Sequence, residues 1–147
     1  MSNKPSTNTK IFGMRQYFDE IVDLYTQNKM PNKILLSGKK GLGKCTLAYH
    51  IINYIFSLKE NLPYDKSNLT INNENKSYKL IRNNTHPNFF LIDIIDEKKS
   101  IDINQIRKML QYSIKSSFND KPRFILIDNI EFLNINSVNA LLKVIEE

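Results

Sequence analysis

The sequence predicts an α/β fold in which a parallel sheet lies between two layers of helices. Two observations support this prediction: short apolar runs alternate along the chain with amphipathic segments, and a glycine-rich loop joins one of these runs to the segment that follows it. Alternation of this kind is typical of parallel strands connected by right-handed helical crossovers. We therefore expect three layers, with helix, sheet and helix stacked in that order.

Three apolar runs are predicted to form the strands of this sheet. They cover residues 34–36, residues 89–92 with an extension to Ile94 and Ile95, and residues 124–127. Each run is apolar at nearly every position, which is typical of strands that are covered on both faces.

The helices are indicated by apolar residues that recur every three or four positions. They are predicted over residues 16–28, over residues 45–58, after Asp102 and from about Asn136. Asp102 is the expected N-cap of the third helix, because Gln105 follows three residues later and completes a capping box. The buried face of that helix is predicted to consist of Ile103, Ile106, Leu110 and Ile114.

Two stretches depart from this alternation. Residues 1–10 are polar and are expected to be disordered, so that the predicted domain covers residues 11–147. Residues 59–85 are rich in Asn, Lys, Glu and Ser, and we interpret them as a long connector with one helical turn near residues 78–81.

Of the two histidines, His50 is expected at the surface, and His86 is expected to cap or pack the turn at a strand entry.

The composition narrows the function classes. No apolar run approaches the ~18–20 residues that span a bilayer, and the first ten residues lack the apolar centre of a secretion signal. One cysteine, Cys45, can form neither an internal disulfide nor a four-cysteine zinc site, so the cytoplasm is the expected compartment. The net charge of +6 leaves direct DNA contact open, but the lysines are scattered and compositional bias explains the charge equally well.

Residues 38–45 carry the pattern G-x-x-x-x-G-K, with its fixed positions at Gly38, Gly43 and Lys44. Gly38, Gly41 and Gly43 let the backbone curl so that successive N–H groups face phosphate oxygens. The helix that follows presents its N-terminus to the same anion, and Lys44 can reach the β- and γ-phosphates. The sequence thus predicts a P-loop fold. A loop that holds nucleotide and a glycine-rich turn that binds nothing both stay open.

Asp128 ends the apolar run 124–127 and is expected to hold magnesium beside the loop. Two neighbouring positions lack the groups that hydrolysis needs. Cys45 stands where Ser or Thr would ligate magnesium, and a thiol is a poor ligand for this hard cation. Thr46 is turned by about 100° along the helix and is not expected to substitute. Asn129 stands where a glutamate would orient the attacking water, and an amide cannot act as a base.

Hydrolysis is therefore predicted to be absent or very slow, and binding of ATP and Mg²⁺ to be weak or absent. No residue is assigned as catalytic and no dedicated metal site is predicted. The predicted nucleotide-binding residues are Gly38, Gly41, Gly43, Lys44, Cys45, Thr46 and Asp128.

Several segments resemble the delta-prime subunits of the bacterial DNA polymerase III clamp loader. They are residues 11–13, 30–38, 43–49, 85–89, 103–107 and 136–147, the last of which contains Asn-Ala-Leu-Leu-Lys. The resemblance covers nearly the whole chain apart from residues 59–85. It implies an AAA+ P-loop fold that is truncated before the strand bearing the first sensor. The runs 34–36 and 124–127 would then keep unpaired edges, so the isolated chain is expected to be marginally stable or prone to aggregate.

The resemblance also implies a function and its partners. Delta-prime subunits join gamma/tau and delta subunits in a five-membered ring that opens the sliding clamp and places it on primed DNA, and they do not hydrolyse ATP themselves. Many relatives carry a four-cysteine zinc module after the P-loop helix, but residues 59–85 contain no cysteine, so zinc is not expected. The family's Ser-Arg-Cys motif is expected beyond Glu147. An ATP-hydrolysing subunit of the gamma/tau type and a stand-alone nucleic-acid-binding module remain as alternatives.

Overall fold

The structure is a computed structural model that describes residues 4–39, 41–94, 99–115, 119 and 121–146. The chain divides into two compact units, residues 1–85 and 86–147, and each is described by itself. The helices and strands in the described ranges are a 3-10 helix Pro5–Thr7, α1 Arg15–Thr26, α2 Lys44–Ser57, α3 Lys76–Arg82, β1 Phe89–Ile92, α4 Ile103–Ile114, β2 Phe124–Ile127, a 3-10 helix Ile130–Phe132 and α5 Ile135–Glu146.

Most of the predicted elements are confirmed, with helix ends that differ by one or two residues. Strands β1 and β2 have the predicted bounds and pair in parallel, which confirms the α/β class. The helical turn expected near residues 78–81 is part of α3. Ile94 follows the end of β1, and Ile95 lies outside the described residues.

The strand predicted at residues 34–36 does not form. Ile34 is 46% exposed and Leu35 is 78% exposed, so the run is not buried as its apolar character suggested. A strand exists only through backbone hydrogen bonds to a neighbour. The only sheet in the described ranges consists of β1 and β2, and it leaves Ile34–Leu36 without a partner strand there.

Helix α2 is the centre of the first unit, and it is buried around most of its circumference. The segment 59–85 contributes buried apolar side chains to this unit, namely Tyr64, Leu69, Ile71, Tyr78 and Ile81, and the ring of Tyr64 meets that of Tyr54 on α2. Helix α3, the 3-10 helix Pro5–Thr7 and α1 also contact α2. The polar segment 59–85 is thus packed through a minority of apolar residues spaced along it.

The described part of the N-terminal stretch takes part in this packing. The N–H of Ile71 donates to the carbonyl oxygen of Thr9 at 2.8 Å, and Lys10 forms an antiparallel bridge with Thr70. The imidazole Nε2 of His50 lies 2.8 Å from the carbonyl oxygen of Asn8. Residues 4–10 therefore lie on segment 59–85 and α2. The domain bounds of 1–10 and 11–147 stay a prediction.

His50 was predicted at the surface, and this was wrong: its side chain is fully buried. Because the carbonyl of Asn8 can only accept, the neutral ring carries its hydrogen on Nε2, and Nδ1 accepts from the hydroxyl of Tyr64 at 2.7 Å. Tyr64 stacks on Phe18 with ring centroids 5.3 Å apart, and Tyr54 meets both rings edge-on. The residue that covers His50 comes from segment 59–85, where no sequence period signalled burial.

The second unit is built around the two parallel strands. Phe89 faces Phe124 and Ile92 faces Ile127 in the register of β1 and β2. The buried core consists of Ile92, Ile101, Ile106, Met109 and Leu141. It is formed where α4 and α5 pack together and α4 packs on β1.

The predicted N-cap of α4 is confirmed, since the Asp102 carboxylate accepts from the N–H of Gln105 at 3.2 Å. The predicted buried face of α4 is partly wrong. Ile114 is 83% exposed, because it is the last residue of the helix, and Met109 is buried instead. His86 is placed as expected, with Nδ1 accepting from the N–H of Asn88 at the entry to β1.

Candidate nucleotide site

The glycine-rich loop has the backbone conformation that its sequence requires. Gly38, Gly41 and Gly43 have φ angles of +154°, +88° and +84°. A side chain at Gly38 would also place its Cβ 3.0 Å from Cδ1 of Leu42. Glycine is the residue that adopts positive φ without strain, so these three positions depend on it.

Helix α2 begins at Lys44 directly after this loop, and Gly43 is its N-cap residue. The first backbone N–H groups of a helix have no partner within the helix, and they favour an anion at that end. The ammonium group of Lys44 donates to the carbonyl oxygen of Gly38 at 2.8 Å, so this side chain folds back across the loop. A bound phosphate would have to draw Lys44 away from that carbonyl.

The two residues that follow Lys44 differ in exposure. Cys45 is half-buried, whereas Thr46 is buried, with 7% of its surface exposed. Cys45 directly follows Lys44, where the sequence pattern has the Ser or Thr whose hydroxyl binds magnesium. It does not fit as a ligand for that ion, although the loop itself fits a phosphate. Lys40, also within the loop, lies outside the described residues.

An apolar groove of about 360 Å³ opens beside the loop in the first unit. It is lined by side chains of α1, by the 34–36 run and by the loop and helix that follow, among them Met14, Tyr17, Ile21, Leu42 and Leu47. The residues from α1 were not predicted as part of a site. Their helical spacing was interpreted only as a packing face, and the sequence carries no signal that this face meets the loop.

Asp128 lies in the second unit, directly after β2, and its carboxylate Oδ1 accepts from the N–H of Asn129 at 2.8 Å. The side-chain amide of Asn129 donates to Oδ1 of Asp93 at 2.7 Å. Asp93 directly follows β1, so the two carboxylates and the amide meet at the carboxyl ends of neighbouring strands. Ligands of parallel α/β sheets bind at this edge.

Asp93 was missed in the sequence analysis, although a signal was available. It follows β1 as Asp128 follows β2, and parallel strands of equal length place such residues side by side. The loop residues from Gly38 to Thr46 belong to the first unit and Asp128 to the second. The assignment of Asp128 to the same site as the loop stays a prediction.

Other site types find little support in the part of the chain that the structure describes. Within those ranges, no group of three or more His, Cys, Asp or Glu side chains could hold a metal ion. No described helix has the length and apolar character needed to cross a membrane.

Comparison with known proteins identifies the family. The model of the family described as DNA polymerase III, delta subunit, matches residues 13–147. The chain belongs to this family. The match covers the loop, both strands and the five α-helices in the described ranges. Together with the delta-prime relatives given below, it confirms the resemblance to delta-prime subunits noted from the sequence. The α/β structure is consistent with the AAA+ P-loop fold of this family.

Individual relatives agree with this assignment. The chain is 27% identical over 113 residues to DNA polymerase III subunit delta-prime of Pseudomonas aeruginosa, an alignment that covers 77% of this chain and 33% of the relative. It is 29% identical over 131 residues to the delta-prime subunit of Buchnera aphidicola, covering 88% of this chain and 38% of the relative. The chain thus spans about a third of the length of these delta-prime proteins.

Subunits of the gamma type are similar as well. The chain is 31% identical over 147 residues to DNA polymerase III subunit gamma of Buchnera aphidicola, covering 98% of this chain and 37% of the relative. The similarity therefore extends to both types of subunit within the DNA polymerase III proteins.

Proposed function

We propose that this chain forms the nucleotide-site region of a delta-prime-type clamp-loader subunit that can hold phosphate in its loop but does not hydrolyse ATP. The observation that carries the proposal is the side chain after Asp128. It is the amide of Asn129, which donates a hydrogen bond to Asp93 Oδ1 at 2.7 Å. An amide cannot act as a base, and this one already donates to a carboxylate, so it is not suited to orient water for attack on a phosphate.

The start of α2 supports the same conclusion. Cys45 offers a thiol where the magnesium hydroxyl is required, and Thr46 is buried. Catalysis of phosphoryl transfer consists almost entirely of positioning and charge stabilisation, so the loss of two positioning groups is severe. The glycine conformations and Lys44 remain suited to a phosphate. When ATP is bound, these residues would hold its β- and γ-phosphates, and we infer that Asp128 would hold the metal ion.

The partners in this proposal follow from the family and from the relatives. Their names place them as subunits of DNA polymerase III, of the delta-prime and gamma/tau types. We infer that this protein joins gamma/tau and delta subunits in a five-membered ring that loads the sliding clamp onto primed DNA in the cytoplasm. The role of the subunit in this ring would be structural.

The test is phosphate release from Mg-ATP by the natural full-length protein, alone and assembled with its partner subunits. Partner sites are inactivated by substitution of their own loop lysines, so that only this site can contribute. Lys44→Ala serves as the matched control, because it removes the residue that would contact the β- and γ-phosphates. We expect release at the level of this control. Release that is at least tenfold above it would refute the absence of hydrolysis.

The second candidate is an ATP-hydrolysing subunit of the gamma/tau type. The 31% identity to the Buchnera gamma subunit over the whole chain favours it. It predicts that phosphate release is lost in Lys44→Ala and that it falls below the rate of the unchanged protein in Cys45→Ala. In the non-hydrolysing protein, neither substitution changes the rate.

A further inference from the structure

The carboxyl ends of β1 and β2 are connected by one side-chain hydrogen bond. The amide Nδ2 of Asn129 donates to Oδ1 of Asp93 at 2.7 Å, and both residues are half-buried. The same Oδ1 accepts the N–H of Ile94 at 2.7 Å. The backbone N–H of Asp93 donates to Oε1 of Gln105 on α4 at 3.4 Å. Hydrogen bonds to Ile94 and to Gln105 on α4 thus fix Asp93, and Asn129 donates its own hydrogen bond to this fixed carboxylate.

The backbone at position 129 also suits asparagine. Asn129 has φ +56° and ψ +43°, the left-handed region, in which asparagine is several-fold enriched over most residues. Its own N–H donates to Asp128 Oδ1 at 2.8 Å. Two carboxylates, Asp93 and Asp128, therefore lie next to residue 129, and each accepts a hydrogen bond from it. A glutamate at this position would meet both charges and could offer Asp93 no donor.

We propose that Asp93 is a positioning residue that fixes the side chain at position 129 against β1. We call this hydrogen-bonded pair of Asp93 and Asn129 the latch. Because Asp93 accepts from an amide, it disfavours a water-orienting carboxylate at position 129, so both residues contribute to the absence of that group. This inference rests on the proposed function. It implies that Asn129→Glu by itself does not recreate a water-orienting carboxylate, because the new carboxylate faces Asp93. Exchanging the two groups, in Asp93→Asn with Asn129→Glu, reverses the polarity of the bond and restores it.

The test measures amide hydrogen exchange of β1 and β2 in the full-length protein. Asn129→Glu is expected to accelerate exchange of these strands about 10- to 100-fold, because it replaces a charge-assisted hydrogen bond with two facing carboxylates. The double variant is expected to exchange at least tenfold more slowly than Asn129→Glu. Asp93→Asn, which keeps an oxygen acceptor for the Asn129 amide, is expected to lose less protection than Asp93→Ala.

Glu131→Gln is the matched control, since it removes an exposed carboxylate two residues from Asn129 and is expected to leave exchange unchanged. If Asp93→Asn and Asn129→Glu affect exchange additively, with no recovery in the double variant, the latch is refuted. Exchange does not depend on ATP turnover. A failure of the proposed function would appear instead as phosphate release that Lys44→Ala abolishes, so the two outcomes are distinguishable.

Discussion

Replacing Asn75 by alanine should open the first unit between α2 and α3. Asn75 is fully buried and makes four side-chain hydrogen bonds. Its Oδ1 accepts from the N–H of Tyr78 at 3.0 Å, as the N-cap of α3, and from Nδ2 of Asn53 on α2 at 3.1 Å. Its Nδ2 donates to Glu60 Oε1 at 3.2 Å and to the carbonyl oxygen of Asn61 at 3.3 Å.

The expected loss is about 3 kcal/mol in the free energy of opening. Loss of a helix N-cap accounts for about 1 kcal/mol of this. The buried amide of Asn53 is left without its acceptor, which adds about 1–3 kcal/mol. Glu60 keeps a bond to the hydroxyl of Ser77 at 2.8 Å, so its carboxylate contributes little to the total.

The assay is amide hydrogen exchange of α2 and α3 in the full-length protein, where about 3 kcal/mol corresponds to exchange that is roughly 150-fold faster. Asn73→Ala is the matched control, because Asn73 is exposed in the turn that leads to α3. Asn75→Asp separates the bonds that Asn75 accepts from those that it donates. It keeps the acceptor for Tyr78 and Asn53 but removes the donor and places a second carboxylate against Glu60, so it should also be destabilising. Exchange within threefold of the control in Asn75→Ala would refute the view that this residue fastens segment 59–85.

Three further outcomes are expected. Burial lowers the pKa of His50 below its ordinary value of 6.5, so the unfolded chain takes up a proton near that pH and the folded chain takes one up only at lower pH. Protection of α2 should therefore fall from pH 7.5 to 5.5, by at most about 1.4 kcal/mol per pH unit, and His50→Gln should show a flatter dependence. Asp102→Ala should accelerate exchange in the first turn of α4 by the equivalent of about 1 kcal/mol, whereas Asp102→Ser, which keeps a capping oxygen, should restore most of the protection. Gly43→Ala should destabilise the start of α2 by about 1 kcal/mol or more in a thermal melt, because φ is +84° there, and a melting temperature equal to that of the unchanged protein would contradict this.

Elements with strong local signals were predicted well. The periodic apolar residues of α1, α2, α4 and α5 and the short runs of β1 and β2 indicated their types and nearly their bounds. Asp102 was recognised because a cap acts within a few residues of itself. The loop glycines were recognised for the same reason, since the conformation that they allow is local.

Features that depend on distant partners were not predicted. The run 34–36 is apolar like a strand, but strand pairing requires a neighbour that its own residues do not specify. Ile114 continued the apolar period of α4, yet the helix ends there and the residue is exposed. His50 on α2 was predicted at the surface, because the groups that hydrogen-bond its ring lie outside α2. They are the hydroxyl of Tyr64, 14 positions away, and the carbonyl of Asn8, 42 positions away.

By itself, the sequence determined the class of the fold, the family and the glycine-rich loop before α2, and it is the basis for the proposal that two groups needed for hydrolysis are missing. Each of these depends on residue types at fixed short spacings, where backbone geometry leaves few alternatives. Only the tertiary structure decided that segment 59–85 packs on α2 and that Asp93 binds Asn129. The first depends on contacts between a helix and an irregular segment, and the second joins residues 36 positions apart. No local sequence pattern specifies such contacts, because they arise only when the chain has packed.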